Sequence, residues 1–297
     1  MSDPVHPTPD AQGDIGVAHV RDEVKHHEDL KRPAIVEFSN VSKTYNVGEE
    51  NAFTAITDVN FAVEDLEDKG EMIAVLGPSG CGKSTILRLI AGLEPQYPAT
   101  TGQVLVQGRP VTGPGADRGM VFQDYASFDH RTVLNNVTFG LECAGVPRAK
   151  RDELGRRWID RVGLDVENDS HKYPHELSGG MRQRVAIART LILKPRIILM
   201  DEPFGALDPR TRMDMQNLLV GLWREVQATV FFITHSIEEA VYLGDRVYLM
   251  SSSPGTILEE IEVSPPDRPA LEMQREPAFQ ETVYYIQDRI AALEAGH

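Results

Sequence analysis

Met72-Ile73-Ala74-Val75-Leu76 runs directly into Gly77-Pro78-Ser79-Gly80-Cys81-Gly82-Lys83-Ser84-Thr85, and a helical stretch follows to Ala91, stopped by Gly92. A short apolar run of this kind reads as a buried strand, and the spacing from Lys83 to Ala91 predicts a helix. The loop between them has the form G-x-x-x-x-G-K-[ST], in the strand–loop–helix context that the pattern requires. Its glycines allow backbone N–H groups to curl around phosphate oxygens, and the helix N-terminus adds positive potential. Lys83 is expected to reach the β- and γ-phosphates, and Ser84 to ligate Mg²⁺. The whole loop, Gly77, Pro78, Ser79, Gly80, Cys81, Gly82, Lys83, Ser84 and Thr85, is therefore a candidate phosphate site. Cys81 reads as a small space-filling residue rather than a nucleophile. The competing reading, a glycine-rich turn with a solvated lysine, does not account for the flanking strand and helix.

A phosphate loop needs a carboxylate on a neighbouring strand. Ile197-Ile198-Leu199-Met200-Asp201-Glu202 supplies one. An apolar strand ending in two acids is costly unless a cation or a polar partner is present. Asp201 is expected to hold Mg²⁺, and Glu202 to polarise an attacking water. Alone, two acids after a strand are more often a turn or a helix cap; beside a phosphate loop they read as chemistry.

The same alternation extends along the chain. Strands are expected at 34–38, 57–63, 104–106, 119–122, 196–200, 229–234 and 246–250. Helices are expected at 181–193, 210–226 and 237–243, with a mostly helical stretch over 133–163. Apolar strands alternating with helices imply a mostly parallel sheet covered on both faces. After Pro269 one amphipathic helix is expected, with Val283, Ile286, Ile290 and Leu293 at helical spacing. Residues 1–33 are poor in aliphatics and read as a disordered leader; its histidines (His6, His19, His26, His27) could bind a metal, but a solvated leader is the simpler reading.

Composition limits the alternatives. Of the 297 residues, 41% are hydrophobic and 25% charged, so a sizeable core is possible. The formal net charge of -15 argues against a global nucleic-acid surface. Two cysteines, Cys81 and Cys143, exclude a disulfide scaffold or zinc ribbon and suit a reducing compartment. Met1-Ser2-Asp3-Pro4 does not read as a signal peptide, and no apolar run is near the ~18 residues a membrane span needs, so a membrane role is expected to come through a partner.

One further segment decides which phosphate-loop enzyme is present. Leu177-Ser178-Gly179-Gly180-Met181-Arg182-Gln183-Arg184 resembles the signature motif of ABC-transporter ATPases, and the other family motifs fall in order. Gln123 in Val121-Phe122-Gln123-Asp124 resembles the Q-loop. Ala206-Leu207-Asp208 resembles the D-loop. His235, after the strand ending at Thr234, resembles the switch histidine. Tyr45 in Val41-Ser42-Lys43-Thr44-Tyr45 resembles the adenine-stacking aromatic. The resemblance spans about residues 35–261. It implies an α/β, P-loop NTPase (RecA-like) fold with an antiparallel β subdomain and an inserted α-helical subdomain near 124–180. The ATPase domain would cover 34–263, with a helical tail over 264–297.

The resemblance also implies ATP and Mg²⁺ as cofactors, with Ser84, Gln123 and Asp201 on the metal. It implies Glu202, His235, Lys83 and Gln123 in catalysis, and Asp208 near the nucleotide. Ser178, Gly179 and Gly180 open a helix and so form a second anion site. With one phosphate loop and two anion sites, a head-to-tail homodimer clamping two ATP is the implied assembly. Met181–Ile237 and the phrase Pro203-Phe204-Gly205-Ala206-Leu207-Asp208 look most like bacterial nitrate, sulfonate and taurine importers. That implies integral membrane permease subunits, a periplasmic or extracellular substrate-binding protein, and a peripheral place on the cytoplasmic face of the bacterial inner membrane. About 30 residues follow Val263, too few for the C-terminal regulatory domain of many sugar importers. The leader, an acidic loop over 64–69 and extra residues over 96–99 depart from the common pattern and leave the substrate open. An ABC-type ATPase of a soluble complex and a non-catalytic ATP-binding scaffold are the alternatives.

Overall fold

The computed structural model describes residues 19–21, 24–66, 69–124 and 126–295. Eleven strands are formed among them: β1 His19–Arg21, β2 Ala34–Tyr45, β3 Phe53–Glu64, β4 Met72–Leu76, β5 Thr101–Val106, β6 Arg109–Pro110, β7 Arg118–Val121, β8 Ile197–Asp201, β9 Thr229–Ile233, β10 Arg246–Met250 and β11 Ile257–Glu262. The helices are α1 Lys83–Ala91, α2 Val133–Val137, α3 Phe139–Cys143, α4 Arg148–Arg161, α5 Val166–Asp169, α6 Gly179–Leu191, α7 Pro209–Val226, α8 Ile237–Leu243, α9 Ala270–Met273 and α10 Pro277–Ala295.

Seven strands form one sheet in the order β1-β11-β10-β4-β9-β8-β7. β10, β4, β9, β8 and β7 run parallel, and β11 and β1 add antiparallel at one edge. The central strands read as unbroken apolar runs because both faces are covered. Met72, Ala74, Ile198, Met200, Val230 and Phe232 pack toward the core shared with α6, α7 and α8. Their alternates Ile73, Val75, Leu199, Phe231 and Ile233 pack with α1 and with the antiparallel sheet β3-β2-β5-β6. A period of two on each strand thus feeds two separate cores.

Between β7 and α6 the chain leaves the sheet and builds a helical layer. The helical stretch expected over 133–163 is three helices. Thr138 ends α2, and Gly145 takes a positive φ of 73° before Pro147 opens α4. Val133, Leu134, Val137, Trp158 and Ile159 bury their side chains in the core that also holds α6. The expected C-terminal helix is present as α10, whose Phe279, Val283 and Ile286 are buried.

The leader departs from the sequence expectation. His19–Arg21 is a strand paired with Glu262–Glu260 at the edge of the large sheet. Val24 is buried in the core of the antiparallel sheet. The Lys25 carbonyl accepts from the Ala62 N–H at 2.8 Å, and the Lys25 N–H donates to Glu260 Oε2 at 3.2 Å. A segment with few aliphatics can still dock when a sheet edge offers unpaired backbone groups, which composition does not register. Residues 1–18, including His6, and the side chains of His19 and His27 lie outside what is described, and with them most of the histidine cluster.

Candidate active site

Four loops meet at the carboxyl ends of adjacent parallel strands. The phosphate loop follows β4, His235 follows β9, Asp201 and Glu202 end β8, and Gln123 follows β7. Because β4, β9, β8 and β7 are neighbours in that order, residues distant in sequence become one row. Open α/β sheets bind ligands at this edge.

The phosphate loop is shaped by close contacts. Gly82 has φ of 96°, and a Cβ there would stand 2.4 Å from Ile56 Cγ2 and 2.9 Å from the Ala55 carbonyl oxygen. Only glycine suits both the backbone angle and the space. Lys83 Nζ donates to the carbonyls of Gly77 at 2.8 Å and Pro78 at 2.9 Å, so the lysine lies along the inside of its own loop. Cys81 is fully buried, and burial pushes its thiol up, which suits a filler and not a nucleophile.

Ser84 donates its hydroxyl to Asp201 Oδ1 at 3.0 Å, and Arg88 approaches the other oxygen at 3.6 Å. Burial pushes the Asp201 carboxyl above the usual range, while the Ser84 hydrogen bond and Arg88 oppose that shift. A buried carboxylate beside a serine hydroxyl is an oxygen donor pair of the kind that suits Mg²⁺, a hard cation that favours carboxylate, hydroxyl and phosphate oxygens. The residues therefore fit that ion.

Glu202 is the centre of the row. His235 Nε2 lies 2.6 Å from its Oε1, and Gln123 Nε2 donates to its Oε2 at 3.3 Å. Its backbone has φ of 47°, a region that non-glycine residues enter at a cost of about 1–3 kcal/mol. Its N–H donates to the Ile233 carbonyl at 3.1 Å, and its own carbonyl accepts from Gly205 at 3.2 Å, which holds the conformation. Strain maintained at this position aims the carboxylate off the strand end.

A cavity of about 310 Å³ is lined by Tyr45, Phe53, Ala55, Ser79, Gly80, Gly82, Lys83, Ser84, Thr85, Glu202 and His235. That volume lies within the range of small-ligand sites, roughly 300–1,000 Å³. Tyr45, the last residue of β2, stands at its rim with its hydroxyl 3.2 Å from Thr85 Oγ1. Gln123 and Asp201 touch the cavity's wall residues without lining it. Ser178, Gly179, Gly180 and Asp208 are not brought to it. Ser178 caps α6, accepting from the Met181 N–H at 3.3 Å, and is exposed. Asp208 caps α7, and its hydrogen bonds from Thr211 hold the carboxyl below the ordinary range. Gln183 of α6 donates its amide to the Pro203 carbonyl, which ties the helix opened by Ser178 to the residue after Glu202.

Three residues escaped the motif reading. Phe53 pairs directly with Tyr45 across the β2–β3 hairpin and is 50% exposed at the cavity. The strands expected over 34–38 and 57–63 reach neither residue; it is the full length of β2 and β3 that brings Tyr45 and Phe53 face to face. Arg88, one turn into α1, faces the same side as Ser84 at i, i+4. Gly255 had no signal: a Cβ there would stand 1.8 Å from the Cys81 carbonyl oxygen, so the chain after β10 presses on the phosphate loop.

Residues 56–205 match the family model described as ABC transporter. The chain belongs to the ABC transporter family. The cassette is 49% identical over 254 residues to an uncharacterized ABC transporter ATP-binding protein of Methanocaldococcus jannaschii, covering 84% of this chain and 91% of that one. It is 43% identical over 267 residues to the nitrate import ATP-binding protein NrtD of Synechocystis, covering 88% and 95%. It is 46% identical over 207 residues to the taurine import ATP-binding protein TauB of Escherichia coli, covering 70% and 78%. Among solved structures it is similar to a dimeric, post-hydrolysis ATP-binding cassette bound to ADP and Pi, with TM-score 0.66 and 32% identity over 77% of this chain and 99% of that one. The fold is that of the P-loop ATPases, and the cassette is an ATP-binding, ATP-hydrolysing subunit.

Proposed function

We propose that this cassette powers a bacterial importer of a small anion or a nitrogen or sulfur compound, of the nitrate, sulfonate or taurine kind, through separate permease subunits. The observation that carries the catalytic part is Glu202, which one strand end places beside the phosphate loop and between His235 and Gln123. The similarity to nitrate and taurine import subunits supports the substrate class.

In this reading the loop Gly77–Thr85 cradles the phosphates, Lys83 neutralises their charge, and Tyr45 stacks on adenine. Ser84, Asp201 and Gln123 would hold Mg²⁺, which when bound would neutralise phosphate charge. Glu202 takes the proton of the attacking water, and His235 positions that carboxylate and contacts the γ-phosphate. Ser178, which is exposed, with Gly179 and Gly180, all away from the cavity of their own chain, close on the nucleotide held by a second copy, with Asp208 at the same interface. Closure excludes water and strengthens the electrostatics of the site. No described helix is long and apolar enough to cross a membrane, so attachment to the cytoplasmic face runs through the permease, and substrate arrives from a periplasmic or extracellular binding protein. Nucleic acid is not a partner in this reading.

Glu202→Gln keeps the shape and removes the base. The variant is expected to bind ATP and Mg²⁺, lose nearly all turnover and accumulate as a dimer in size-exclusion chromatography with light scattering. Adding Ser178→Arg is expected to abolish that dimer while each monomer still binds ATP. Full hydrolysis by the Gln variant would overturn the assignment of the base. Gene deletion followed by growth on nitrate, taurine or an alkanesulfonate as sole nitrogen or sulfur source tests the substrate class.

A further inference from the structure

Behind the active site lies a buried polar cluster that neither phosphate nor metal chemistry uses. Glu239, in the first turn of α8, is only 4% exposed. Gln216 of α7 is 3% exposed and donates its Nε2 to Glu239 Oε1 at 2.8 Å. The side chain of Thr234, the residue before His235, also acts favourably on the Glu239 carboxylate, and the Glu239 N–H donates to Ser236 Oγ, just after His235, at 3.1 Å. One turn before Gln216 on α7, Arg212 donates to the Leu207 carbonyl at 3.1 Å, and its charge acts favourably on Glu239. A carboxylate nine-tenths or more buried is expensive in a helix–helix interface unless its hydrogen bonds matter.

The positions at the two ends of this cluster are informative. Thr234 holds the backbone from which His235 projects, and Leu207 immediately precedes Asp208. The cluster therefore adds a side-chain link between Thr234 and the Leu207–Asp208 turn, beyond the backbone bond from the Glu202 N–H to the Ile233 carbonyl at the strand ends. Gln216 Oε1 and Arg212 Nε are buried and have no partner. An apolar α7–α8 contact of the same shape would avoid both penalties. Retaining a polar one, with orphaned atoms, is the pattern of a contact kept for geometry.

We infer that Glu239 is a positioning residue that fixes the His235 loop against α7, and so sets the distance between His235 and Glu202 together with the placement of the Leu207–Asp208 turn. It touches no reacting atom. Its effect reaches the chemistry through Thr234, whose hydroxyl also accepts from the Ser236 N–H at 3.1 Å and so holds the chain on both sides of His235. The inference rests on the assignment of Glu202 and His235 to hydrolysis, and deepens it.

The test is steady-state ATP hydrolysis by the full chain, with ATP affinity measured separately by calorimetry and folding by thermal denaturation. Glu239→Ala removes the partner of both Thr234 and Gln216. Its kcat is expected to fall on the order of tenfold to a hundredfold, as for a small displacement of a catalytic group, with KM and ATP affinity unchanged. Glu239→Gln keeps an acceptor for Gln216 and a group able to bond Thr234, and is expected to restore kcat to within about threefold of the parent. Gln216→Leu approaches the same contact from α7 and is expected to lower kcat in the same direction. Should Glu239→Ala fail to fold, Gln216→Leu and Glu239→Gln decide: a normal kcat in Gln216→Leu overturns the inference. So does a normal kcat in a folded Glu239→Ala, or a loss seen only in KM. If instead the parent chain does not hydrolyse ATP, or Glu202→Gln remains active, the catalytic reading itself fails, independently of Glu239.

Discussion

His235 Nε2 stands 2.6 Å from Glu202 Oε1, while the second oxygen of that carboxylate accepts from Gln123. One carboxylate thus joins the loops after three adjacent strands. A group held from two sides presents a fixed direction to whatever lies in the cavity, which is the property a base requires. The left-handed backbone at Glu202 serves the same end, turning the side chain away from the buried strand that precedes it.

Tyr45 and Phe53 make the cavity rim aromatic on both strands of the β2–β3 hairpin. Tyr45→Ala is expected to weaken ATP binding by ~1–3 kcal/mol, the value of one base–aromatic stack. Tyr45→Phe keeps the ring and loses only the hydroxyl contact with Thr85, so its affinity is expected to stay near the parent. Titration calorimetry with ATP distinguishes the two; equal affinities in all three proteins would remove Tyr45 from the site.

Gly255 supports the phosphate loop from outside the cavity. Its N–H donates to the Ala55 carbonyl at 2.9 Å, and its Cα side faces the Cys81 carbonyl. Gly255→Ala has to displace one of these backbones. It is expected to lower stability by about 1–3 kcal/mol and to weaken ATP binding, although residue 255 lines no part of the cavity. Unchanged ATP affinity in the variant would show that the loop keeps its shape without this contact.

The leader is expected to contribute to stability. Deleting residues 1–32 removes the β1 pairing, the Lys25 contacts and the burial of Val24, a side chain whose burial alone is worth about 1.5–3 kcal/mol. It also leaves Glu260, fully buried and ion-paired with Arg246 at 3.1 Å, without one of its donors. A melting temperature below that of the full chain is expected, with ATP affinity little changed, because these contacts lie away from the cavity. An unaltered melting temperature would return the leader to the status of a solvated appendage.

Glu239 gives stability a pH dependence of known sign. Burial raises its pKa, with the repulsion of Glu202 adding to the rise, while the Thr234 and Gln216 hydrogen bonds and the charge of Arg212 oppose it. A carboxyl raised in the folded state contributes stability below the ordinary carboxylate pKa, and that contribution is lost as pH rises through the folded value. Glu239→Gln cannot titrate. The melting temperature of Glu239→Gln relative to the parent is therefore expected to increase from acidic to neutral pH. A difference that stays constant across that interval would mean the carboxyl is not shifted.

What could be read without coordinates was local chemistry. The phosphate loop, the acids after Ile197–Met200, the helix opened at Ser178 and the alternation of strands with helices are each written within a few consecutive residues. There, dihedral freedom, capping and apolar period act directly. The family motifs added Tyr45, Gln123 and His235, whose residue types alone would not have singled them out.

What the sequence did not determine is the order β4-β9-β8-β7, which makes neighbours of loops far apart in the chain. Nor did it show the docking of His19–Arg21 on β11, the pressure of Gly255 on Cys81, or the Glu239–Gln216 contact between two helices. Those depend on which backbone edges and buried surfaces meet, a choice made by the packing of the two cores as a whole. Residues so far apart in sequence carry no periodic or spacing signal that encodes their approach, so only the tertiary structure decided them.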